Sequence, residues 1–398
     1  MQTDFNLAQL ANSDTKDADS ILRKCVHCGL CAATCPTFVM LGDELDSPRG
    51  RIYLIREMLQ SGKIGSKAVK HVDRCLSCLS CMTTCPSGVD YMHLVDHARN
   101  LIERYHMRNL SNRVLRQLLM ITLPYPKVFR FSLTFGRVFK PLAKYLPGPL
   151  ATLLRMIPNS LPSTSSLSQA GTVHRAEGKL LKRVVLMTGC AQQVLRPSIN
   201  DATIRLLTRF GCEVFLPHFS GCCGALAHHM GRGETAADAA KSNIKAWEEI
   251  KKKNGLDNII INTSGCGTMV KDYGWILKND HVWSESAASM VKITRDISQF
   301  LSEINISGFQ SGKKPEIVYH SACSMTHGQK IITEPVKLLR DAGFKVSEPG
   351  ERHLCCGSAG TYNILHPDQA EKLRARKLDN LLVANGKIIV TGNIGCLQ

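Results

Sequence analysis

No run of about eighteen or more uninterrupted apolar residues occurs in this chain, which excludes an ordinary transmembrane helix. Met1 to Asp19 carries acids and lacks both the basic start and the apolar stretch of a secretory signal, so nothing in it directs export. No G-x-G-x-x-G turn follows a strand-like run and no P-loop is present, so the chain brings no nucleotide or flavin site of its own. Acid is missing too: between Glu103 and Glu177 there is no Asp or Glu, in a chain whose net charge is +17. Inside that gap Arg104, Arg108, Arg113, Arg116, Lys127, Arg130, Arg137, Lys140, Lys144, Arg155 and Arg175 alternate with Leu115, Leu118, Leu119, Phe129, Phe131, Phe135, Phe139 and Leu142. Basic residues interleaved with bulky apolar ones at near-helical spacing suit an anionic membrane surface or an acidic partner subunit; a plain solvated basic face is the alternative. Nucleic acid is not expected, because no recognisable nucleic-acid module accompanies the charge.

What is abundant is cysteine, seventeen in 398 residues. Without an export signal they point to metal ligation in a reducing compartment, with the cytoplasmic side as the expected address. Cys25, Cys28, Cys31 and Cys35-Pro36 form a C-x2-C-x2-C-x3-C-P run, repeated as Cys75, Cys78, Cys81 and Cys85-Pro86. Three thiolates from one tight loop can each take one iron of a cube, and the fourth, starting a helix, points away to the neighbouring cube. This logic assigns Cys25, Cys28, Cys31 and Cys85 to one [4Fe-4S] cluster and Cys35, Cys75, Cys78 and Cys81 to a second. Structural zinc prefers two separated C-x2-C pairs and gives no reason for a third and fourth Cys at this pitch. Asp46-Ser47-Pro48 predicts a helix over Arg51 to Leu59 crossing between the two runs.

The expected organisation is a helical two-cluster ferredoxin-like domain (1–100), a basic amphipathic segment broken by prolines into short helices and closed by a flexible Ser-rich linker at Ser160 to Gly171 (101–175), and an α/β region with parallel sheets, α+β overall. That last region is an internal repeat, divided at 176–310 and 311–398. Cys190 precedes Cys222-Cys223-Gly224 by the same interval as Cys323 precedes Cys355-Cys356-Gly357, and a single Cys closes each half, Cys266 and Cys396. Each isolated Cys follows a β run: Arg183 to Met187, Asn258 to Asn262, Glu316 to His320 and Lys387 to Thr391. All should lie past the carboxyl ends of parallel strands, where open α/β sheets bind ligands. Cys190, Cys222, Cys223 and Cys266 in one half, and Cys323, Cys355, Cys356 and Cys396 in the other, are therefore candidate metal sites. A [4Fe-4S] cluster of unusual geometry, a structural zinc, and small buried cysteines in tight turns all remain open there. The nearby His218, His228, His229, His320, His327 and His353 are given no role, and Cys212 is a plain thiol. The second half stops two residues after its Cys, short of the helix such a unit should carry, the pattern of a truncated repeat.

Several stretches carry a family resemblance: SILRKCVHCGLCAATC (Ser20 to Cys35), LGDELDSPRGRIYLI (Leu41 to Ile55), DRCLSCLSCMTTCPSG (Asp73 to Gly88), TSGCGTMVK (Thr263 to Lys271), HLCCGSAGTY (His353 to Tyr362) and GNIGC (Gly392 to Cys396). The chain resembles the iron-sulfur subunits of glycolate oxidase (glycolate dehydrogenase). These fall within a wider group that joins a two-cluster ferredoxin domain to tandem CCG domains, and that group includes lactate-utilisation, anaerobic glycerol-3-phosphate dehydrogenase and heterodisulfide-reductase-related subunits. The resemblance implies a subunit of an oxidoreductase complex acting on CH-OH donors, in which this chain transfers electrons and has no catalytic residue of its own. FAD-bearing partner subunits would oxidise glycolate to glyoxylate, and electrons would pass through the clusters toward membrane quinone at the cytoplasmic face of the inner membrane. Where heterodisulfide-reductase relatives close each CCG half with C-x2-C, the first half here has Cys266-Gly267-Thr268-Met269, which argues against disulfide chemistry there.

Overall fold

The structure is a computed structural model that describes residues 1–398 except 147, 219–220, 305, 307–313 and 385. The N-terminal region is helical. The crossing helix spans Pro48–Ser61, longer than expected, because Ser47 caps it through a hydrogen bond from the Gly50 amide and Pro48 supplies the preset first turn. Its buried face, with Ile52, Ile55 and Met58, meets Ala18 and Leu22 of the helix Ser13–Arg23 and Leu94, Ala98 and Ile102 of the helix Tyr91–Tyr105. Both cysteine runs hang from this small core.

The acid-free segment folds as helices Leu110–Thr122, Pro126–Phe139 and Gly148–Arg155, separated where the prolines fall. Not all of its basic residues face outward. Arg108 binds Asp73 and Glu103, and Arg116 lies 3.6 Å from Asp73, so part of the charge is used to dock the segment onto the ferredoxin-like core. The Ser-rich stretch is not the loose linker expected from its composition. Ser165 donates to Asp201 at 2.6 Å, Ser168 is buried and Leu167 packs on the sheet core, so serine hydroxyls here anchor the chain.

Two sheets follow. The first has the order β1-β3-β2-β4-β5, built from Val173–His174, Cys212–Phe215, Lys182–Met187, Asn258–Ile261 and Thr294–Asp296. All pairings are parallel except β1 with β3, an antiparallel edge not foreseen from the sequence. Val185 and Met187 point to one buried face with Trp247 and Tyr273, and Val184 and Leu186 to the other with Ile204 and Leu207. Burial on both faces accounts for the near-continuous apolar strands. The second sheet, β7-β6-β8 (Lys345–Ser347, Glu316–His320, Ile388–Thr391), is wholly parallel. In both, the chain leaves the central strand to one side and returns on the other, which places a topological switch point at the carboxyl ends of β2 and β6.

The polar contacts that join the ferredoxin-like core to the α/β region include Thr83 with His327 at 2.7 Å, His228 with Asp96 at 3.1 Å, and His93 with Asp272 at 2.9 Å. His93 also touches Asp90 at 2.5 Å and stacks on Trp275 with ring centroids 3.9 Å apart. Burial alone would lower its pKa, but the two carboxylates prevail and raise it to about 9. A raised histidine pKa stabilises the fold fully below its unfolded value near 6.5, and that contribution is lost as pH rises through about 9. We expect the melting temperature to fall by several degrees between about pH 6.5 and 9, and His93→Gln to flatten that slope; differential scanning calorimetry across this range checks it.

Candidate metal centres

The two C-x2-C-x2-C runs adopt the same backbone. The second residue after the first Cys is left-handed in both (His27 φ 57°, Ser77 φ 49°), and so is the fourth (Gly29 φ 83°, Leu79 φ 63°). Three of these four carry side chains, a cost that loops retain where function requires their shape. The result turns three sulfurs inward. Cys25, Cys28, Cys31 and Cys85, together with Cys81, line one cavity, with Arg49, Ile52 and Tyr91 among its walls. Cys35, Cys75, Cys78 and Cys81 line a second, walled by Arg51, Leu76 and Tyr91. Each cavity contains the four cysteines that the spacing assigns to one cluster, and Cys81 lines both. The fourth cysteines reach their places differently from each other. Cys35 caps the helix Pro36–Leu41 as expected, whereas Cys85 ends the helix Ser80–Thr84 and Pro86 continues into a turn.

The cavities differ in setting. At the first, Cys28 is exposed and flanked by exposed Val26 and Leu30. At the second, Cys35, Cys78 and Cys81 are buried, and burial pushes the Cys78 and Cys81 thiols well up. Bound iron would reverse that preference, because a coordinating thiol is deprotonated outright. The donors that reach the second set include Arg51 to the Cys35 sulfur and Tyr91 to the Cys75 sulfur, each at 3.7 Å. Arg51 is itself buried, held by Asp46, Thr37 and the His71 carbonyl. Neither donor was singled out from the sequence, since an Arg and a Tyr inside apolar helices look like ordinary amphipathic residues. Four thiols around one space, twice, fit the donor chemistry of [4Fe-4S] clusters.

The eight cysteines of the repeat also converge at the strand ends. Cys190 lies 3.6 Å from Cys222, and Cys223 pairs with Cys266 in the first turn of the helix Ser264–Lys271. In the other half, Cys323 lies 3.9 Å from Cys355 and Cys356 lies 3.3 Å from Cys396. The Cys-Cys-Gly turn has a steric origin. Gly224 and Gly357 both have φ of 87°, and a Cβ on either would lie 3.1 Å from the Ala236 carbonyl or 2.6 Å from that of Ala370. Only glycine turns that sharply against the next helix. In the first half Asn243 and Tyr273 brace the turn by hydrogen bonds to the Cys222 and Cys223 carbonyls. Hydrogen bonds from neighbouring thiols hold Cys222 and Cys356 well below the ordinary thiol range, with His320 also acting on Cys356. The two rims face each other: Ser264 meets Ser324 at 2.7 Å and Thr268 donates to the Ser324 carbonyl.

One junction was not legible in the sequence. Cys323 packs against the apolar cluster that contains Cys78, Leu76 and Cys355, so the second cavity of the ferredoxin-like region abuts the second half of the repeat. His320, given no role from the sequence, is brought beside Cys356 and Cys396. Cys212 is a buried strand residue apart from both sets.

Comparison with known proteins accords with this geometry. Residues 24–89 match the 4Fe-4S dicluster domain, and residues 184–271 and 317–398 match the Cysteine-rich domain. The glycolate oxidase iron-sulfur subunit of Escherichia coli strain K12 is 39% identical over 100% of this chain and 94% of its own length. The chain belongs to the glycolate oxidase iron-sulfur subunit family. A probable member from Bacillus subtilis strain 168 is 30% identical over 100% of this chain and 92% of its own. Lactate utilization protein A of an Exiguobacterium species is 30% identical over 55% of this chain and 88% of its own length, a partial likeness. Family and dicluster domain together make this an iron-sulfur electron-transfer chain. No helix among the described residues is long and apolar enough to cross a membrane.

Proposed function

We propose that this chain is the electron-transfer subunit of a flavin-dependent glycolate dehydrogenase complex. FAD-bearing partner subunits oxidise glycolate to glyoxylate, and this chain passes the electrons on toward a membrane quinone. The observation that carries the reading is a continuous file of thiol sets: exposed Cys28 at one end, buried Cys78 in the middle, Cys323 packed against it at the other. In it, Cys25, Cys28, Cys31 and Cys85 hold one cluster, Cys35, Cys75, Cys78 and Cys81 a second, and the two cysteine-rich halves hold further iron-sulfur or zinc centres. When bound, the clusters supply one-electron transfer, which a two-electron substrate oxidation needs in addition to a hydride acceptor. The protein's own part is to bury the second set, to donate hydrogen bonds from Arg51 and Tyr91 to its sulfurs, and to expose Val26 and Leu30 around Cys28 as a docking surface for a flavin subunit. The division at residues 100, 175 and 310 follows the same scheme. The test is metal and sulfide analysis of anaerobically purified protein, followed by glycolate-dependent acceptor reduction with and without added flavin subunits. We expect at least about eight irons per chain, no turnover alone, and turnover on addition; little iron, or zinc throughout, would sink the reading.

The same scheme needs the subunit close to the bilayer. The helix Pro126–Phe139 exposes Phe131, Phe135 and Val138 beside exposed Lys127 and Arg137, with Lys144 following. This is the amphipathic and basic pattern of an interfacial helix at an anionic surface. Arg130 and Lys140 contribute less, since they donate to the Pro162 and Ile157 carbonyls. Changing Lys127, Arg137 and Lys144 together to Gln should weaken co-sedimentation with phosphatidylserine vesicles about a hundredfold, at about 1 kcal/mol per charge. Unchanged sedimentation would leave this face to a protein partner.

A further inference from the structure

The two cysteine-rich halves are repeats, but the residue that ends their central strands differs. Three positions before Cys190 stands Met187, and three before Cys323 stands His320; both are the last residues of their strands, at the switch point where the sets gather. Met187 is at home in the apolar core. His320 is only 3% exposed, and beyond its approach to the Cys356 thiol neither ring nitrogen makes a well-formed hydrogen bond among the described residues. A buried imidazole left unpaired destabilises the fold unless something accepts it. One of its nitrogens and the sulfurs of Cys356 and Cys396 all lie within 4.8 Å of one another. Among the described residues, no histidine joins the thiols of the first half in such a group.

We propose that His320 is a nitrogen donor to the metal centre of the second cysteine-rich half, making it a mixed imidazole-thiolate centre, whereas the first half is all-thiolate. The inference rests on the reading above that these halves hold metal. Its consequence is that the halves are not interchangeable. A neutral imidazole in place of a thiolate leaves less negative charge on the centre than thiolates alone, and such histidine ligation raises the potential of iron-sulfur centres. The higher-potential member would then be the one packed against Cys78, placed to draw electrons from the ferredoxin-like pair.

The experiment compares the full-length wild-type chain, anaerobically purified, with His320→Met, which copies the first half, and with Met187→His as the reciprocal change. Metal is quantified first, and retention of the ferredoxin-pair EPR signals serves as the folding control. If the second centre is iron-sulfur, pulsed EPR of the reduced protein should show a coordinated imidazole nitrogen coupling that disappears in His320→Met. If it is zinc, zinc-edge absorption should show a nitrogen scatterer at about 2.0–2.1 Å, lost in the same variant. Metal present with no nitrogen in the wild type, or a nitrogen that persists in His320→Met, overturns the assignment. Metal absent from both halves overturns the underlying reading as well, so the two failures are distinguishable. Should His320→Met lose the folding control, His320→Cys serves instead, since it keeps a donor and must still abolish the nitrogen coupling.

Discussion

Cys78→Ser is expected to lower the iron content by about four atoms per chain and to reduce glycolate-dependent acceptor reduction in the reconstituted complex to background. Cys78 is buried, belongs to the second thiol set, and packs on Cys323 and Cys355 of the repeat. Serine oxygen is a harder, less readily ionised ligand, so a [4Fe-4S] cluster bound through it is weakened. The loss is expected to be selective. Cys25, Cys28, Cys31 and Cys85 line the other cavity, which Cys78 does not line, and the EPR signal of one cluster should survive in the variant. Because the proposed file of centres passes through Cys78, a surviving first cluster should not sustain transfer. Full activity with four irons missing would show that electrons bypass this position.

Arg51→Met is the second change with a large expected effect. Arg51 is 1% exposed, and it joins the buried Asp46 carboxylate at 3.3 Å to the Cys35 sulfur at 3.7 Å. Removing one partner of a buried ion pair costs about 3–5 kcal/mol, and the lower end applies because Arg74 and His71 still contact Asp46. A second consequence is electronic. Hydrogen bonds and positive charge near the cluster sulfurs favour the reduced form, so the second cluster's potential should move downward while the first is little changed. Urea unfolding of the cluster-loaded protein reads the first effect, and a redox titration followed by EPR reads the second. Arg51→Lys should restore part of the potential, since it keeps the charge but not the fork that holds Asp46, Thr37 and the sulfur at once. Equal potentials in wild type and Arg51→Met would show that this arginine serves packing alone.

The parts of this protein that could be read without coordinates are those encoded by spacing. Cys25 to Cys35 and Cys75 to Cys85 imply interleaved sets because a short loop can bring only three sulfurs to one space. The strand ends before Cys190, Cys266, Cys323 and Cys396 were visible because two-face burial requires continuous apolar runs, such as Val184 to Met187 and Ile259 to Ile261. The Ser47-Pro48 helix start and the glycine in each Cys-Cys-Gly turn follow from local backbone chemistry. Composition was a poorer guide at Ser160 to Gly171, where polar residues that look like a linker are hydrogen-bonded in place.

The sequence by itself determined the donor types, their spacing within each run, and the parallel α/β repeat, because each depends on periodicity within about thirty residues, the length of one crossover unit. Tertiary structure alone decided which sets are neighbours. Cys78 meets Cys323, Ser264 meets Ser324, Arg51 reaches the Cys35 sulfur, and the buried His320 turns toward Cys356 and Cys396. Such contacts join elements far apart in the chain, and their partners are chosen by how whole cores dock. No local pattern records that choice, because the same His, Arg or Ser would be equally at ease on a solvated surface.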